Sequence, residues 1–216
     1  MSRIAIIGGH GKIARLATPL LVADGHEVTA LIRNPDHIHD VTKDGARALV
    51  ADVEHLATDE IATALTGHDV VLWSAGAGGG DPKRTRAVDY DAAVRSMDAA
   101  MAAGIDRYVM ISYFGAGPDH GVPDDHPFYP YAQAKTDADA YLRTTSLTWT
   151  ILMPSALTRQ PGTGAINTAA EKAGEVPRAD VAAVIAAVVG ADPAVTAGRD
   201  FTFNTGDTPI ADAIAH

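Results

Sequence analysis

Short apolar runs alternate with longer amphipathic stretches along most of the chain. The apolar runs predict β-strands over residues 4–7, 28–32, 46–50, 70–73, 108–111, 147–152 and 201–203. Apolar residues at helical spacing predict α-helices over residues 12–23, 61–65, 85–103, 131–145 and 179–189, the last of them opened by Asp180. Continuous apolar strands that alternate with helices indicate a parallel sheet covered on both faces. We therefore expect a doubly wound α/β fold.

Two stretches break this alternation. Residues 115–130 are rich in Gly and Pro, carry His120 and His126, and predict a long loop that is a candidate lid over a site. The Gly- and Thr-rich stretch 155–176 gives no clear periodicity. No repeat or linker divides the 216 residues, so we expect one domain over 1–216, in which about 155–216 form a small substrate-side part.

Composition narrows the class of protein. Hydrophobic residues make up 47% and charged residues 20%, which is enough apolar surface for an ordinary core. The net charge of −10 argues against nucleic acid and anionic membranes as partners. Cys is absent, which excludes disulfides, thiolate metal sites and a Cys nucleophile. The first apolar run begins after three residues and stretch 181–191 is too short to span a bilayer, so we expect a cytoplasmic protein without a signal peptide.

The strongest motif joins the first predicted strand to the first predicted helix. It is the segment Gly8-Gly9-His10-Gly11-Lys12-Ile13-Ala14, which fits G-x-G-x-x-A at Gly9, Gly11 and Ala14. The first Gly allows a tight turn, the second lets the backbone approach a pyrophosphate, and the small third residue lets the helix pack closely on the strand. The helix N-terminus then offers free N–H groups to the phosphates. Because the motif lies between a strand and a helix, it predicts a dinucleotide site.

The end of the second strand indicates which dinucleotide is bound. NAD sites usually carry Asp or Glu there, to hold the ribose 2′-hydroxyl. This chain has Arg33, whose forked guanidinium pairs well with a 2′-phosphate. His10 and Lys12 are further sources of positive charge nearby. The sequence therefore favours NADP(H) over NAD(H), and it argues against S-adenosylmethionine.

Further landmarks make the chain resemble the atypical short-chain dehydrogenase/reductases, the group of Rossmann-fold proteins that includes NmrA-like and flavin/biliverdin-IX-beta reductase-like members. The resemblance covers nearly the whole chain. Its other landmarks are Ala51-Asp52-Val53, Ser74-Ala75-Gly76-Ala77-Gly78, Met110-Ile111-Ser112, Tyr131-Ala132-Gln133-Ala134-Lys135, Pro154 and Pro177-Arg178-Ala179-Asp180. The resemblance implies that Asp52 and Val53 lie near the adenine. It also implies that Ala75, Gly76 and Ala77 line the middle of the cofactor, and that Pro154 and Ser155 pass the nicotinamide carboxamide.

Tyr131 and Lys135 are the candidate reactive pair. Their i, i+4 spacing places both on one face of a helix. A Lys ammonium beside a phenol lowers the pKa of the phenol, and such a Tyr can exchange a proton with a substrate oxygen during hydride transfer. The resemblance implies in addition that Lys135 bonds the nicotinamide ribose and that Ser112 holds the substrate carbonyl oxygen. Tyr113, Phe128 and Tyr129 are rival aromatic residues for the same pocket.

No metal site is expected. His37 and His39 form an H-x-H pair in a polar segment without further ligands at metal spacing, so we interpret them as residues of a solvated loop. Trp73 and Trp149 are interpreted as core residues. No Gly-x-Ser-x-Gly motif supports serine hydrolase chemistry.

Three functions fit these observations. The first is an NADP(H)-dependent oxidoreductase that transfers a hydride between the nicotinamide and a small carbonyl, quinone or flavin-type acceptor. The second is a non-catalytic NADP(H)-binding sensor of the NmrA type, which needs a protein partner instead of a substrate. The third is a nucleotide-sugar epimerase or dehydratase, for which the segment after residue 152 is short. The intact Tyr131 and Lys135 pair favours an enzyme.

Overall fold

A parallel β-sheet runs through the centre of the computed structural model, which describes residues 1–215. The strands are β1 (Arg3–Ile7), β2 (Glu27–Ile32), β3 (Arg47–Val50), β4 (Val70–Trp73), β5 (Arg107–Ile111), β6 (Thr148–Pro154), β7 (Ala156–Thr158), β8 (Ala165–Asn167), β9 (Glu175–Pro177), β10 (Arg199–Thr205) and β11 (Thr208–Pro209). Their order in the main sheet is β11-β8-β10-β6-β5-β4-β1-β2-β3, and all neighbours from β10 to β3 are parallel. Strand β8 pairs antiparallel with β10 and β11, while β7 and β9 form a separate parallel pair.

Helices cover both faces of the sheet. They are α1 (Lys12–Ala23), α2 (Ile38–Lys43), α3 (Thr58–Leu65), α4 (Pro82–Thr85), α5 (Ala93–Ala102), α6 (Tyr129–Thr144), α7 (Arg178–Gly190), α8 (Pro193–Thr196) and α9 (Ile210–Ala215), with a 3₁₀ turn at Pro35–His37 and a π-helical segment at Arg86–Ala92. Helices α1, α7 and α9 pack on one face, and α3, α5 and α6 pack on the other. Each face carries its own buried apolar cluster, which explains why the central strands are apolar on both sides.

The doubly wound α/β fold expected from the sequence is confirmed, and every predicted strand is present. The strand order reverses between β1 and β4, which run side by side although two strands separate them in the chain. At such a reversal the loops leave the sheet in opposite directions and open a crevice at the carboxyl ends of the strands. No helix among residues 1–215 has the length and apolar character to cross a membrane.

The helix predicted over 85–103 is present as an uninterrupted helical run over 82–102, in which residues 86–92 are π-helical. Two predicted details are wrong. Helix α7 begins at Arg178 and is not opened by Asp180, whose buried carboxylate instead accepts the backbone N–H groups of Thr163 and Gly164 at 2.9 Å. His37 and His39, interpreted as residues of a solvated loop, lie in the 3₁₀ turn and in α2. These elements depend on contacts between distant parts of the chain, which local periodicity does not report.

Candidate active site

The loop of residues 8–11 crosses closely over β2. The N–H groups of Gly8 and Gly9 both donate to the carbonyl of Leu31, at 3.2 and 3.0 Å. A Cβ at Gly9 would lie 2.5 Å from the Cβ of Ala30, and Gly8 has a φ of +83°. Two glycines are therefore required by the approach of the loop to its own sheet, before any ligand is considered.

Helix α1 begins at this loop with its first N–H groups free. Gly11 precedes the helix and has no side chain that could cap it, and the first turn contains no acidic residue. The N–H groups of a first helical turn have no partners within the helix, and the helix dipole makes this end positive. The residues present therefore fit a pyrophosphate group, as the motif predicted.

A cavity of about 240 Å³ lies beside this helix end, and we call it the loop cavity. It is bounded by the carboxyl ends of β1, β2, β3 and β4. The predicted cofactor residues that line it are Gly8, His10, Gly11, Arg33, Asp52, Val53, Ala75 and Gly76. Lys12 is exposed and Ala77 is buried, and neither lines the cavity. The tertiary structure thus brings together residues that are up to 68 positions apart in the chain.

A pair of stacked imidazoles forms one wall of the loop cavity. The rings of His10 and His37 lie 3.5 Å apart at an angle of 11°. The Nε2 atom of His10 is 2.9 Å from the Asp40 carboxylate, and this hydrogen bond lowers the pKa of Asp40. The interpretation of His37 as a solvated loop residue is wrong, because it packs on the phosphate loop beside Arg33.

A second cavity, of about 200 Å³, adjoins the first, and we call it the tyrosine cavity. Seven predicted residues line it: Ile13, Ala75, Gly76, Ser112, Tyr131, Pro154 and Ser155. The same wall contains Asp89 and Tyr113. Ser74, Ala75 and Gly76 line both cavities, so the Gly-rich loop after β4 forms the ridge between them. Together the two cavities make one elongated crevice at the carboxyl ends of the strands.

Tyr131 stands at the start of α6 within a cluster of aromatic rings. Its ring centre lies 5.2 Å from that of Phe128 and 5.7 Å from that of Tyr113. Burial raises the pKa of the Tyr131 phenol, and the carboxyl groups of Asp89 and Asp139 raise it further. The pKa of Tyr131 is therefore raised, whereas its spacing from Lys135 predicted a lowered pKa. The phenol keeps its proton at neutral pH.

Lys135 lies one turn later on α6 but lines neither cavity. Its side chain is 1% exposed, and Nζ lies 3.1 Å from Sδ of Met110 on β5. Burial lowers the pKa of the ammonium group, while the nearby Asp139 and Asp89 oppose that effect. The i, i+4 spacing correctly places Tyr131 and Lys135 on one helix face, but Lys135 reaches deeper, toward the sheet.

Ser112 is held by a carboxylate beneath the cavity. Its Oγ atom donates a hydrogen bond to Oδ2 of Asp139 on α6. Asp139 is 1% exposed, and its second oxygen has no hydrogen-bond partner among the described residues. Burial raises the pKa of Asp139, although Lys135 and the Ser112 hydrogen bond lower it. The Ser112 proton is therefore directed away from the cavity while Asp139 is ionised.

Asp89 is a site residue that the sequence motifs did not reveal. It lies in the π-helical segment, is 1% exposed, and lines the tyrosine cavity. Its Oδ2 atom accepts the N–H of Ala77 at 3.0 Å, which ties the Gly-rich loop to this segment. One signal was available, because Asp89 falls on the apolar stripe that continues through Ala93 and Met97. Asp is rarely fully buried unless its carboxyl group is paired, so an Asp on a buried helix face indicates a specific role. The π-helical turns that contain it are also frequent at functional sites.

Among residues 1–215, no three His, Asp or Glu side chains are grouped so as to hold a metal ion. The side chains that line the crevice carry hydroxyl, carboxyl, imidazole and guanidinium groups. The loop cavity offers N–H groups and cationic side chains for phosphates. The tyrosine cavity offers two groups that can exchange protons, the phenol of Tyr131 and the carboxyl of Asp89, and burial raises the pKa of both.

The chain is similar to known proteins over nearly its whole length. A family model described as NAD(P)H-binding matches residues 8–192. The protein YhfK of Bacillus subtilis (strain 168), described as an uncharacterized sugar epimerase, is 34% identical over 216 residues, which represent 98% of each chain. These matches extend far beyond the phosphate loop and include the tyrosine cavity.

Solved structures show the same fold over the same length. A protein of Bacillus halodurans described as an NAD-dependent epimerase/dehydratase is 31% identical, covers 99% of both chains and gives a TM-score of 0.91. The oxidoreductase ylbE of Lactococcus lactis is 28% identical, covers 98% of this chain and 94% of its own, and gives a TM-score of 0.87. The relatives therefore carry two kinds of description, epimerase and oxidoreductase.

Proposed function

The chain belongs to the NAD(P)H-binding family, within the atypical short-chain dehydrogenase/reductases, and from this premise we propose that it is an NADP(H)-dependent oxidoreductase. The observation that carries the proposal is the single crevice formed by the two cavities. Its loop-cavity end offers the free N–H groups of α1, and its tyrosine-cavity end holds Tyr131 and Asp89. A dinucleotide lying along the crevice would place its nicotinamide end among groups that can exchange protons.

The binding roles follow the walls of the crevice. The N–H groups of Lys12 and Ile13 would hold the pyrophosphate, and Arg33 would pair with the 2′-phosphate, which selects NADP(H). Asp52 and Val53 would contact the adenine. The other proposed cofactor residues would contact its middle and its nicotinamide end, namely Gly8, Gly9, His10, Gly11, Ala75, Gly76, Ala77, Pro154 and Ser155. The expected bond from Lys135 to the nicotinamide ribose is not part of this proposal, because the residue is 1% exposed and its ammonium group lies against Met110.

Tyr131 would act on the substrate oxygen. When bound, the nicotinamide supplies or accepts the hydride. Because burial raises the pKa of Tyr131, the phenol stays protonated and donates to a substrate oxygen until that oxygen becomes basic enough to take the proton. Ser112 would orient the same oxygen when Asp139 is protonated, because the Asp139 carboxyl can then donate to Ser112 Oγ and the Ser112 proton is free to point into the cavity. Lys135 would act from below through its charge, which offsets the carboxylates of Asp89 and Asp139.

The substrate would be a small molecule with a carbonyl, quinone or flavin-type acceptor group. The tyrosine cavity is only about 200 Å³ in volume, and the rings of Tyr113, Phe128 and Tyr131 cluster at its side. Such a wall favours a compact or planar acceptor. The predicted absence of nucleic-acid and membrane partners, and a cytoplasmic location, belong to the same proposal.

A second candidate is a sugar epimerase or dehydratase. It is favoured by the descriptions of the Bacillus subtilis and Bacillus halodurans relatives, which are 34% and 31% identical to this chain over nearly its full length. The same crevice would serve, but the hydride removed from the substrate would return to it. An epimerase of this kind therefore consumes no cofactor overall.

The two enzyme functions are separated by one assay. NADPH absorbance would be followed with a panel of quinones, flavins, aldehydes and ketones, beside a parallel set of nucleotide sugars analysed for epimer formation. Acceptor-dependent loss of NADPH supports the oxidoreductase. Epimer formation without loss of NADPH would replace it with the second candidate. Tight NADPH binding without either reaction would point to a sensor that needs a protein partner.

A further inference from the structure

Asp89 has one engaged and one free carboxyl oxygen. Oδ2 accepts the N–H of Ala77, and no protein group among residues 1–215 donates to Oδ1. A Cβ placed on Gly76 would lie 3.1 Å from Oδ1, so that oxygen faces Gly76 in the Gly-rich loop after β4. Asp89 lines the tyrosine cavity together with Tyr131. A carboxyl oxygen that accepts no hydrogen bond from the described residues and belongs to a side chain on the cavity wall is available to a proton from the cavity.

The charges around Asp89 do not balance. Arg84 lies on the preceding helix α4, and Tyr131 and Lys135 face Asp89 from α6. Asp139 is the second buried carboxyl near Lys135, and no ion pair within residues 1–215 joins Lys135 to either carboxylate. Arg84 also acts on Asp89, but its guanidinium pairs with Glu54 at 3.1 Å, so two ionised buried carboxyls would be offset only in part. Burial accordingly raises the pKa of Asp89.

When a turnover removes the proton of Tyr131, the phenolate must regain a proton before the next turnover. The phenolate left behind would lie in a half-buried site facing the carboxyl groups of Asp89 and Asp139, which disfavour its negative charge. The cavity wall holds only one carboxyl group, that of Asp89. Lys135 does not reach this wall, because its ammonium group lies against Met110.

We propose that Asp89 returns the proton to Tyr131 after each turnover. This role rests on the proposed reductase function. The O–H bond of the Asp89 carboxyl breaks, the O–H bond of the Tyr131 phenol forms, and the Asp89 carboxylate then regains a proton from solvent. No electrons are transferred in this step. The hydrogen bond from the Ala77 N–H to Oδ2 orients the Asp89 carboxyl, and Oδ1 exchanges the proton with the cavity.

The kinetic test separates the first turnover from later ones. Tyr131 begins with its proton, so D89N should complete its first turnover at a rate within ~2-fold of the wild type and then slow at least ~10-fold in steady state. The amide oxygen of Asn can still accept the Ala77 N–H. D91N is the matched control, since Asp91 lies on the same segment and pairs with Arg86 at the surface. D91N should behave as the wild type in both phases.

An activity-independent measurement accompanies the kinetics. The protonated-carboxyl infrared absorption of the wild type and of D91N should contain an Asp89 component that is missing from D89N, while the component from buried Asp139 remains in all three proteins and is identified by its loss in D139N. In the wild type the Asp89 component and the steady-state turnover should decline together as the pH rises through the pKa of Asp89. If D89N does not fold, the shared pH dependence of the Asp89 component and of turnover in the wild type tests the role instead. Turnover that persists at a pH where the Asp89 component has disappeared would overturn the role.

Other outcomes are equally decisive. Unchanged steady-state turnover in a folded D89N would overturn the role of Asp89 alone. Equal slowing of the first and later turnovers would reduce Asp89 to a structural clamp on Ala77, which also overturns it. A wild type that binds NADPH but passes its hydride to none of the acceptors would overturn the proposed function, and this role would fall with it.

Discussion

The ammonium group of Lys135 lies 3.1 Å from the sulfur of Met110, although Tyr131 precedes it by one turn of the same helix. A thioether is a weak acceptor for a cation, so this contact satisfies the ammonium only in part. Burial lowers the pKa of Lys135, and the two buried carboxyl groups near it oppose that effect. The pKa of Tyr131 is set by burial and by the carboxyl groups of Asp89 and Asp139, and Lys135 bonds Met110 instead of the phenol.

Replacing Tyr131 with Phe tests the proton donor. Tyr131→Phe keeps the ring in the aromatic cluster but removes the proton that the substrate oxygen would take. We expect NADPH affinity to change little and turnover to fall at least ~100-fold, the usual scale for a positioned acid. Absorbance of NADPH and equilibrium binding measure the two quantities. Tyr129→Phe, on the same helix turn but packed against His120, is the control and should retain activity. Full turnover in Tyr131→Phe would remove Tyr131 from the mechanism.

Replacing Arg33 with Ala tests the choice of cofactor. A charge-assisted hydrogen bond to a phosphate contributes about 1.5–3 kcal/mol, so Arg33→Ala should weaken NADPH binding roughly 10- to 100-fold and NADH binding much less. Titration of both cofactors against the same variant measures the difference. Lys43→Ala, an exposed cation at the end of α2, should leave both affinities unchanged. Equal losses for NADPH and NADH would show that Arg33 does not read the 2′-phosphate.

Replacing Gly9 with Ala tests the packing of the phosphate loop. The added methyl group would lie 2.5 Å from the side chain of Ala30 and 2.8 Å from its Cα, so the loop must move off β2. We expect Gly9→Ala to lower the free energy of unfolding by about 1–3 kcal/mol and to abolish NADPH binding. Gly117→Ala has open space around its Cβ and should be nearly neutral. Urea unfolding and cofactor titration check both results, and a stable, NADPH-binding Gly9→Ala would contradict this packing argument.

Replacing Asp139 with Asn tests the buried carboxyl groups. Burial raises the pKa of Asp139, so the folded protein binds more protons than the unfolded chain once the pH exceeds the ordinary Asp value of about 3.9. Stability contributed by the protonated form is therefore complete at lower pH and is lost as the pH rises through the raised pKa. Asp139→Asn cannot ionise and should show a shallower decline in the free energy of unfolding as the pH rises.

Urea unfolding of the wild type and Asp139→Asn across this range measures the slope directly. Asp137→Asn is the matched control, because Asp137 lies on the same helix but is partly exposed and bonds Gln133. It should keep the wild-type slope. Identical slopes for the wild type and Asp139→Asn would mean that Asp139 is not the group whose protonation stabilises the fold.

The alternation of apolar runs was sufficient to predict the fold. Each central strand is apolar throughout because helices cover both faces of the sheet, and that pattern is visible in residues 4–7 and 70–73 without a structure. The G-x-G-x-x-A motif located one end of the crevice for a similar reason. A turn between a strand and a helix is a local feature, and Gly9 is required wherever the backbone must pass a neighbouring strand this closely.

Local pattern was less informative for the segments after β6. Strands β7, β8 and β9 have only three residues each, so none is long enough to establish a period. The position of Asp180 depends on a loop 16 or 17 residues earlier, which its carboxylate binds through backbone N–H groups. A residue that resembles a helix opener in sequence is thus used as a tertiary anchor.

The sequence by itself determined the sheet, the phosphate loop and the helix face shared by Tyr131 and Lys135, because strand and helix periodicity are properties of neighbouring residues. Only the tertiary structure decided how those side chains are charged. Asp89, Lys135 and Asp139 come from different turns and helices and are each 1% exposed. Their pKa values follow from the removal of water and from the separation of charges. The removal of water and the separation of charges are set by all the elements packed around the site, so they cannot be read from any short stretch of sequence.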